Sequence, residues 1–459
     1  MKKVEDLKKV YMIGIKGVAM TALAEILKAK GVQVLGSDTG ETFYTDEILK
    51  SLKVTFFENF NPRNIPLDVD LVLYSTAYNK DNPEFEYALK KGLKMVSYPE
   101  FLGRLFNQAK GIAVCGTHGK TTTAAMLAYL LKEGGKDPSA LIGSKFVNWG
   151  KSACSGSGDL FVVEADEYQN KLRYLNPFMV VLTNIDFDHP DFFKDQGEYN
   201  KIFFDFIKKI PKNGYFVYNI KDKNALKIAK QVDCKKISFG FDKKADFELL
   251  RRNLGEGYQE IVFKSVGKGR KMRCKIFQNG LHNALNAIAA IAAANCLGVS
   301  LGICIEKISG FLSTERRFQY QGKFNGSSLY DDYAHHPEEI VSTIKGAREF
   351  FPAKKIVVAF HPHTYTRTKK FLKEFAKALV LADLVYLIDI YASAREKAGK
   401  IKVHSRDLEK LINDFGGKAE YVKDLYSLAP KLKETLNENT VFISMGAGDI
   451  WRVHNLIKK

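Results

Sequence analysis

Short runs rich in Val and Ile alternate with segments of helical periodicity along nearly the whole chain. This alternation is typical of α/β proteins, in which helices join parallel strands and cover the sheet. In the first hundred residues it predicts a helix over 18–30 and strands over 10–15, 32–36 and 71–74. We therefore expect a Rossmann-like fold for this part of the chain.

A second series of elements begins near residue 110. A strand is predicted over 112–115, followed by a glycine-containing loop and a helix over 121–132. Two further strands are predicted over 160–163 and 179–182. Between about 212 and 278 the pattern changes to shorter β-like runs separated by charged turns. The central part is thus predicted to be an α/β domain of the P-loop ATPase type.

A third α/β series starts near residue 319, with strands predicted over 355–360, 384–390 and 441–445. It is again predicted to be Rossmann-like. A chain of 459 residues has room for two to four domains of ordinary size. We predict three, at 1–107, 108–317 and 318–459.

The chain is strongly basic, with 70 Lys and Arg against 52 Asp and Glu and a formal charge of +18. Such an excess is compatible with nucleic-acid binding, or with a Lys-rich surface and a small anionic substrate. The basic residues are scattered and form no long block, which favours the second interpretation. We expect no nucleic-acid partner.

Residues 284–305 carry no formal charge and are long enough to span a membrane. They are mostly Ala, and Asn286 and Asn295 would need partners in lipid, so a buried Ala-rich helix is predicted instead. The amino terminus lacks the apolar stretch of a signal peptide. The six cysteines form no C-x-x-C pair, which favours reduced thiols. A cytoplasmic protein without a membrane partner is expected.

The strongest chemical signal is a glycine loop between a strand and a helix. Backbone N–H groups in such a loop, together with the positive end of the helix, bind phosphate. Lys120 would contact the β- and γ-phosphates, and the Thr121 hydroxyl would bind Mg²⁺. The loop is shorter than the full Walker pattern, because Val114 stands where the first glycine is expected. The residues predicted to bind ATP here are Gly116, Thr117, His118, Gly119, Lys120, Thr121 and Thr122.

Acidic residues follow the next two strands of the central domain. A carboxylate at the tip of a strand beside a phosphate loop is where a Mg²⁺ ligand is expected, which makes Glu164 a candidate. A solvated acidic turn is the alternative interpretation of 164–167. The second group, 183–189, includes His189 and could supply another metal or phosphate contact.

A degraded G-x-G-x-x-G pattern follows the first predicted strand, with Lys16 in place of the middle glycine. Asp38 lies after the second strand, where a ribose-binding acid is expected. The pattern suits a nucleotide diphosphate better than an intact dinucleotide fingerprint. In the last third, the segments 330–337 and 361–368 place His and Arg residues after successive strands, at the expected ligand edge of the sheet.

These motifs together resemble the ATP-dependent Mur ligases of peptidoglycan synthesis. The resemblance runs from about residue 10 to 454 and rests on motifs in the same order, at 116–123, 164–167, 188–189, 282–286 and 316–318. It implies one domain for a UDP-sugar, a central ATPase and a third domain for an amino acid. The cofactors that it implies are ATP and Mg²⁺.

The resemblance also implies roles for individual residues. The expected UDP-sugar contacts are Gly14, Lys16, Gly17, Met20, Asp38 and Ser75. Further ATP contacts are Asn283, Asn286, Arg317 and Asp332, and the metal ligands are Thr121, Glu164 and His189. The expected catalytic residues are Lys120, His336, His363 and Arg367.

Two parts of the chain indicate different incoming amines. The segments 14–20, 331–337 and 362–368 are similar to the branch of the family that joins L-alanine to UDP-N-acetylmuramate. Tyr168 and the segment 186–189 look more like a sister branch that attaches a recycled tripeptide. Because the third domain should select the amine, we expect L-alanine, joined through an acyl phosphate.

Two other function classes explain less of the sequence. A nicotinamide dehydrogenase built on 14–38 leaves the loop at 116–123 unexplained. A P-loop nucleotide switch or DNA-associated ATPase leaves the His-rich third domain unexplained. The sequence shows no long exposed apolar stripe, so it does not distinguish a monomer from a homodimer.

Overall fold

The computed structural model describes residues 6–43, 45–188, 192–266, 268–391 and 402–458. These residues divide into two compact bodies. The first contains the chain up to residue 251 together with 262–274 and 285–312. The second contains 252–261, 275–284 and the chain from residue 313 onward.

The first sheet is parallel and has the order β3-β2-β1-β4-β5. Its strands are β1 (Lys9–Ile13), β2 (Gln33–Ser37), β3 (Thr55–Phe57), β4 (Leu71–Tyr74) and β5 (Met95–Ser97). Its helices are α1 (Val18–Ala29), α2 (Thr45–Ser51), α3 (Pro83–Lys90) and α4 (Tyr98–Phe106). The strand order reverses at β1, so a ligand crevice is expected at the carboxyl end of that strand.

The central sheet has the order β15-β14-β13-β12-β11-β10-β6-β9-β7-β8. Its strands are β6 (Lys110–Cys115), β7 (Ser139–Phe146), β8 (Lys151–Cys154), β9 (Leu160–Glu164), β10 (Met179–Leu182), β11 (Tyr215–Asn219), β12 (Lys235–Gly240), β13 (Phe247–Gly255), β14 (Tyr258–Ser265) and β15 (Lys268–Ile276). The accompanying helices are α5 (Lys120–Glu133), α6 (Gln196–Ile207), α7 (Lys223–Ala229), α8 (Gly280–Cys296) and α9 (Leu301–Lys307). Strand β6 lies between β9 and β10 and is parallel to both.

The third sheet has the order β16-β17-β21-β18-β19-β20 and is parallel except for the β16–β17 hairpin. Its strands are β16 (Gln319–Phe324), β17 (Ser327–Asp332), β18 (Lys355–Phe360), β19 (Leu384–Leu387), β20 (Ala419–Tyr421) and β21 (Thr440–Met445). Its helices are α10 (Pro337–Phe350), α11 (Tyr365–Lys370), α12 (Leu372–Leu379), α13 (Ser405–Asp414), α14 (Leu425–Thr435) and α15 (Val453–Lys458).

Strand β18 shows why the sheet strands read as continuous apolar runs. Ile356 and Val358 belong to the buried cluster on one face of the sheet, and Val357 and Ala359 to the cluster on the other. Helices cover both faces, so no position along the strand has to be polar. Three successive sheets, each with its own helices, confirm the predicted three-domain α/β architecture, although the antiparallel hairpins β7–β8 and β16–β17 were not predicted.

The uncharged segment 284–305 forms most of α8, a turn and the start of α9. Ala287 and Ala290 are fully buried, as the prediction of an Ala-rich interior helix required. Across the residues that the structure describes, none of the helices has the length and apolarity needed to cross a membrane.

Candidate active site

The loop between β6 and α5 needs glycine at two positions. Gly116 has φ +127° and Gly119 has φ +79°, values that side-chain-bearing residues rarely adopt. A Cβ atom on Gly116 would lie 2.3 Å from Thr183 Oγ1, and one on Gly119 would lie 2.7 Å from Asn286 Oδ1. The second contact shows that Asn286 of α8 lies beside the loop, while its expected contact with ATP stays a prediction.

Residues that follow β10 hold this loop in place. The His118 N–H donates to Asn184 Oδ1 at 2.9 Å, and Asn184 Nδ2 donates back to the His118 carbonyl at 3.0 Å. The Thr183 hydroxyl also donates to that carbonyl, at 2.6 Å. The segment 183–189 was expected to supply a metal or phosphate contact, and its first two residues instead brace the phosphate loop.

Lys120 begins α5 and points back across the loop. Its ammonium donates to the Gly116 carbonyl at 2.6 Å and lies 3.1 Å from Glu167 Oε2. Burial lowers the pKa of Lys120, but attraction to Glu167, Asp166 and Glu164 outweighs it, and the pKa is raised overall. A charged ammonium therefore lies against the carbonyls of the glycine loop at the start of α5.

Thr121 and Glu164 form the oxygen-rich pair that was predicted to hold Mg²⁺. The Thr121 hydroxyl donates to Glu164 Oε1 at 2.7 Å, and the Gly143 N–H donates to Glu164 Oε2 at 2.6 Å. A hydroxyl and a carboxylate are hard oxygen ligands, which fit Mg²⁺. His189 lies outside the described residues. Within those residues no three His, Cys, Asp or Glu side chains cluster as a metal site would.

Tyr199 is a residue of this site that sequence analysis missed. It lies on α6, it is fully buried, and its hydroxyl donates to Glu167 Oε1 at 3.0 Å. Nothing in the local pattern distinguishes it from an ordinary core tyrosine. Only the packing of α6 beside the loop brings its hydroxyl to the carboxylate.

The glycine loop after β1 lies beside the end of β4, at the point where the strand order reverses. The Gly14 N–H donates to the Ser37 carbonyl at 2.8 Å, and the Ser75 N–H donates to the Ile13 carbonyl at 3.0 Å. Gly17 directly precedes α1. These expected UDP-sugar contacts are therefore brought together at one sheet edge.

Three of the expected UDP-sugar contacts interact with other residues of the first domain, and their contact with the UDP-sugar stays a prediction. Asp38 was expected to bind ribose, but its carboxylate accepts the Lys16 N–H at 2.8 Å and the Tyr78 hydroxyl at 2.9 Å, so it braces the loop. The Lys16 side chain is buried, and its ammonium donates to Glu58 Oε1 at 2.9 Å. Met20 is 2% exposed and packs in the hydrophobic core, because it lies on the inner face of α1.

The third sheet collects histidine and arginine side chains at the ends of β17 and β18. The rings of His335 and His363 lie 6.3 Å apart, and His363 stacks on Tyr391 at 5.5 Å. Burial lowers the pKa of His335; Glu339 opposes that effect and Arg367 adds to it. His336 directly precedes α10, with its ring 5.1 Å from Phe371.

Arg367 has an unsatisfied donor in this group. Among the described residues its Nη1 atom is buried and has no hydrogen-bond partner. A buried guanidinium nitrogen without an acceptor is costly, and a ligand carboxylate would satisfy it. The geometry is therefore suited to an anionic substrate group.

The remaining expected ATP contacts lie within the second body. Asp332 accepts the Phe318 N–H at 2.8 Å and the Ala334 N–H at 2.7 Å, and burial raises its pKa to about 6. Arg317 lies over the Tyr333 ring at 5.6 Å. The Asn283 amide donates to the Asn279 carbonyl at 2.8 Å. In this structure these side chains shape their own segments, and their contact with ATP stays a prediction.

Three family models match successive parts of the chain. They are described as "Mur ligase family, catalytic domain" over 9–110, "Mur ligase middle domain" over 114–294 and "Mur ligase, glutamate ligase domain" over 316–448.

Known proteins resemble the chain along almost its full length. It is 37% identical over 447 residues to the UDP-N-acetylmuramate–L-alanine ligase of Desulfitobacterium hafniense, a match covering 97% of this chain and 98% of that protein. A crystal structure of UDP-N-acetylmuramate-alanine ligase from Thermotoga maritima has a TM-score of 0.84 at 29% identity, with 98% of each chain covered. A murein peptide ligase from Psychrobacter arcticus shares the fold, with a TM-score of 0.72, 24% identity and 98% of each chain covered. The phosphate loop, the order of the three matched regions and this identity over the full length together show that the chain belongs to the Mur ligase family.

Proposed function

We propose that the chain joins L-alanine to the lactyl carboxylate of UDP-N-acetylmuramate, driven by ATP, as a cytoplasmic step of peptidoglycan synthesis. The observation that carries the ATP half is the Lys120 ammonium within the glycine loop at the start of α5, where it donates to the Gly116 carbonyl at 2.6 Å. The Desulfitobacterium and Thermotoga proteins, both alanine ligases by name, support the choice of substrates.

The reaction needs activation because a carboxylate does not react with an amine at neutral pH. A lactyl carboxylate oxygen attacks the γ-phosphorus of ATP, ADP leaves, and an acyl phosphate forms. The amine of L-alanine then attacks the acyl carbon and loses a proton. The bond from that carbon to the bridging oxygen breaks, and inorganic phosphate departs with that oxygen. Charge accumulates on the transferring phosphoryl group, so cations and N–H donors must surround it.

Each residue group has a separate task in this proposal. Lys120 and the loop N–H groups neutralise phosphoryl charge. Thr121 and Glu164 would hold Mg²⁺, which supplies further charge neutralisation when bound. Arg367 pairs with the alanine carboxylate, with His363 beside it, and His336 accepts the proton that the amine loses.

The first sheet would bind the UDP-sugar through the backbone of its glycine loop. Gly14 and Gly17 lie where the strand order reverses, which is the usual nucleotide position in such sheets. Lys16 and Asp38 would act by holding the loop in shape. We keep the proposed domain borders near residues 107 and 317.

Measuring ADP release with UDP-N-acetylmuramate and a panel of amines tests the function. The panel would contain L-alanine, glycine, L-serine, L-Ala-γ-D-Glu-diamino acid and no amine. Turnover that needs both UDP-N-acetylmuramate and L-alanine is expected. ADP release that ignores both substrates, or that rises on adding DNA, would overturn the proposal.

Glu164→Gln should raise the Mg²⁺ concentration needed for half-maximal activity by about tenfold, because a charged oxygen ligand becomes a neutral amide. His189→Ala should act in the same direction. A Mg²⁺ titration of ADP release measures the effect, which should shrink as Mg²⁺ is increased. Glu133→Gln, at the exposed far end of α5, is the matched control. An unchanged Mg²⁺ titration in both Glu164→Gln and His189→Ala would contradict the assignment of the metal ligands.

A further inference from the structure

We propose that Tyr199 is a positioning residue for Lys120. By donating a hydrogen bond to Glu167, it weakens the ion pair between Glu167 and Lys120 and so favours contact of Lys120 with the phosphates of ATP. The juxtaposition is direct, since Glu167 accepts the Tyr199 hydroxyl at 3.0 Å and faces the Lys120 ammonium at 3.1 Å. The inference rests on the proposed use of ATP at this loop and not on the identity of the amine.

Glu167 is the centre of this arrangement. Its side chain is fully buried and accepts a hydrogen bond from each of two neighbours on different elements. A buried carboxylate is stable only with donors around it, so each added donor reduces the attraction of the carboxylate for its other donors. Burial and the neighbouring Glu167 charge raise the pKa of Tyr199, so the hydroxyl remains a donor at all physiological pH values.

Tyr199 also contacts the phosphate loop itself. Its hydroxyl oxygen lies 3.0 Å from Thr117 Oγ1, and that threonine hydroxyl donates to the Asp186 carbonyl at 2.6 Å. The Asp186 N–H donates back to Thr117 Oγ1 at 2.9 Å. One tyrosine hydroxyl therefore joins α6, the loop and the carboxylate that holds Lys120.

The consequence for nucleotide binding follows from competition for one ammonium. When ATP binds, the Lys120 ammonium has to exchange part of its contact with Glu167 for contact with the β- and γ-phosphates. Without the Tyr199 hydroxyl, Glu167 has one donor fewer and attracts Lys120 more strongly. The phosphates then compete against a tighter ion pair, and nucleotide affinity falls.

Packing by the ring can be separated from the action of the hydroxyl. The Tyr199 ring lies 4.9 Å from Phe193 and 5.2 Å from Phe203, in edge-to-face contacts. Tyr199→Phe keeps those contacts and removes one oxygen. A role confined to the core would leave nucleotide affinity unchanged in this variant.

The direct test is the dissociation constant of AMP-PNP, a non-hydrolysable ATP analogue, measured by calorimetry at fixed excess Mg²⁺. Tyr199→Phe should raise that constant by about five- to tenfold, the range expected for one hydrogen bond. The KM for ATP should rise by the same factor, while the KM values of the other substrates stay within about twofold. Unchanged AMP-PNP binding by the folded variant would overturn the proposal.

Tyr11→Phe is the matched control. Tyr11 is also fully buried, and its hydroxyl donates to the buried carboxylate of Glu84 at 2.9 Å, in the first sheet. The chemical change is therefore the same, and AMP-PNP binding should not change. An equal loss in both variants would indicate a general stability effect and overturn the specific role.

A double-mutant cycle tests the route through Glu167. In a Glu167→Gln background the ion pair is gone, so adding Tyr199→Phe should change AMP-PNP binding by less than about twofold. The same five- to tenfold loss in that background would overturn the proposed route. Because AMP-PNP binding needs neither UDP-N-acetylmuramate nor an amine, a wrong proposed reaction would show in the ADP-release panel and not in this cycle.

Discussion

Lys120→Ala is expected to lower ADP release by about 100- to 1,000-fold or to below detection, the range for removing one preorganised charge contact to a transition state. The ammonium lies within the glycine loop, 2.6 Å from the Gly116 carbonyl. Steady-state ADP release with saturating UDP-N-acetylmuramate and L-alanine measures the loss. Lys132→Ala, exposed near the far end of the same helix, should retain activity within about twofold.

The structure adds a second expectation for this variant. Removing Lys120 leaves the buried Glu167 without its ion-pair partner, which destabilises the fold. The double variant Lys120→Ala/Glu167→Gln should recover thermal stability and remain inactive. Normal ADP release by either folded variant would contradict the assignment of Lys120 to the phosphates.

Arg367→Lys is expected to raise the KM for L-alanine by about 10- to 150-fold, which corresponds to about 1.5–3 kcal/mol for a hydrogen bond to a charged group. A guanidinium holds a carboxylate with two parallel hydrogen bonds, and a lysine point charge cannot reproduce that fork. The buried Nη1 atom of Arg367 lacks a hydrogen-bond partner among the described residues and is available for such a ligand. Initial rates against L-alanine concentration measure the change.

Arg348→Lys provides the control for that substitution. Arg348 lies on α10 and pairs with Asp383 at 2.7 Å on the surface, so the same chemical change there should leave the alanine KM unaltered. An unchanged alanine KM in folded Arg367→Lys would remove this residue from the amine site.

The choice of amine can be decided by direct competition. L-alanine should be used well, glycine and serine poorly but detectably, because a methyl group offers little for a pocket to discriminate. The tripeptide L-Ala-γ-D-Glu-diamino acid should be a poor substrate. The opposite preference would show that Tyr168, whose ring packs 5.7 Å from Phe192, and the segment 186–189 were the better guides to the amine.

Much of this protein was determined by sequence alone, for a physical reason. Parallel strands covered on both faces must be continuously apolar, so β4, β10 and β18 were predicted with the bounds that the structure shows. Glycines and a lysine between a strand and a helix leave few alternatives to a phosphate loop, because the backbone N–H groups at the helix start are set by local geometry.

Strand orientation and the partners of polar side chains were decided only by the tertiary structure. The hairpins β7–β8 and β16–β17 and the network of Tyr199 with Glu167 depend on elements that are distant in sequence. The partners of the Lys16 side chain also depend on elements distant in sequence. Its position in a glycine loop predicted a contact with the UDP-sugar. Its ammonium lies beside the carboxylates of Asp46 and Glu58, because a buried charge needs opposite charges close to it and the tertiary structure determines which ones are near.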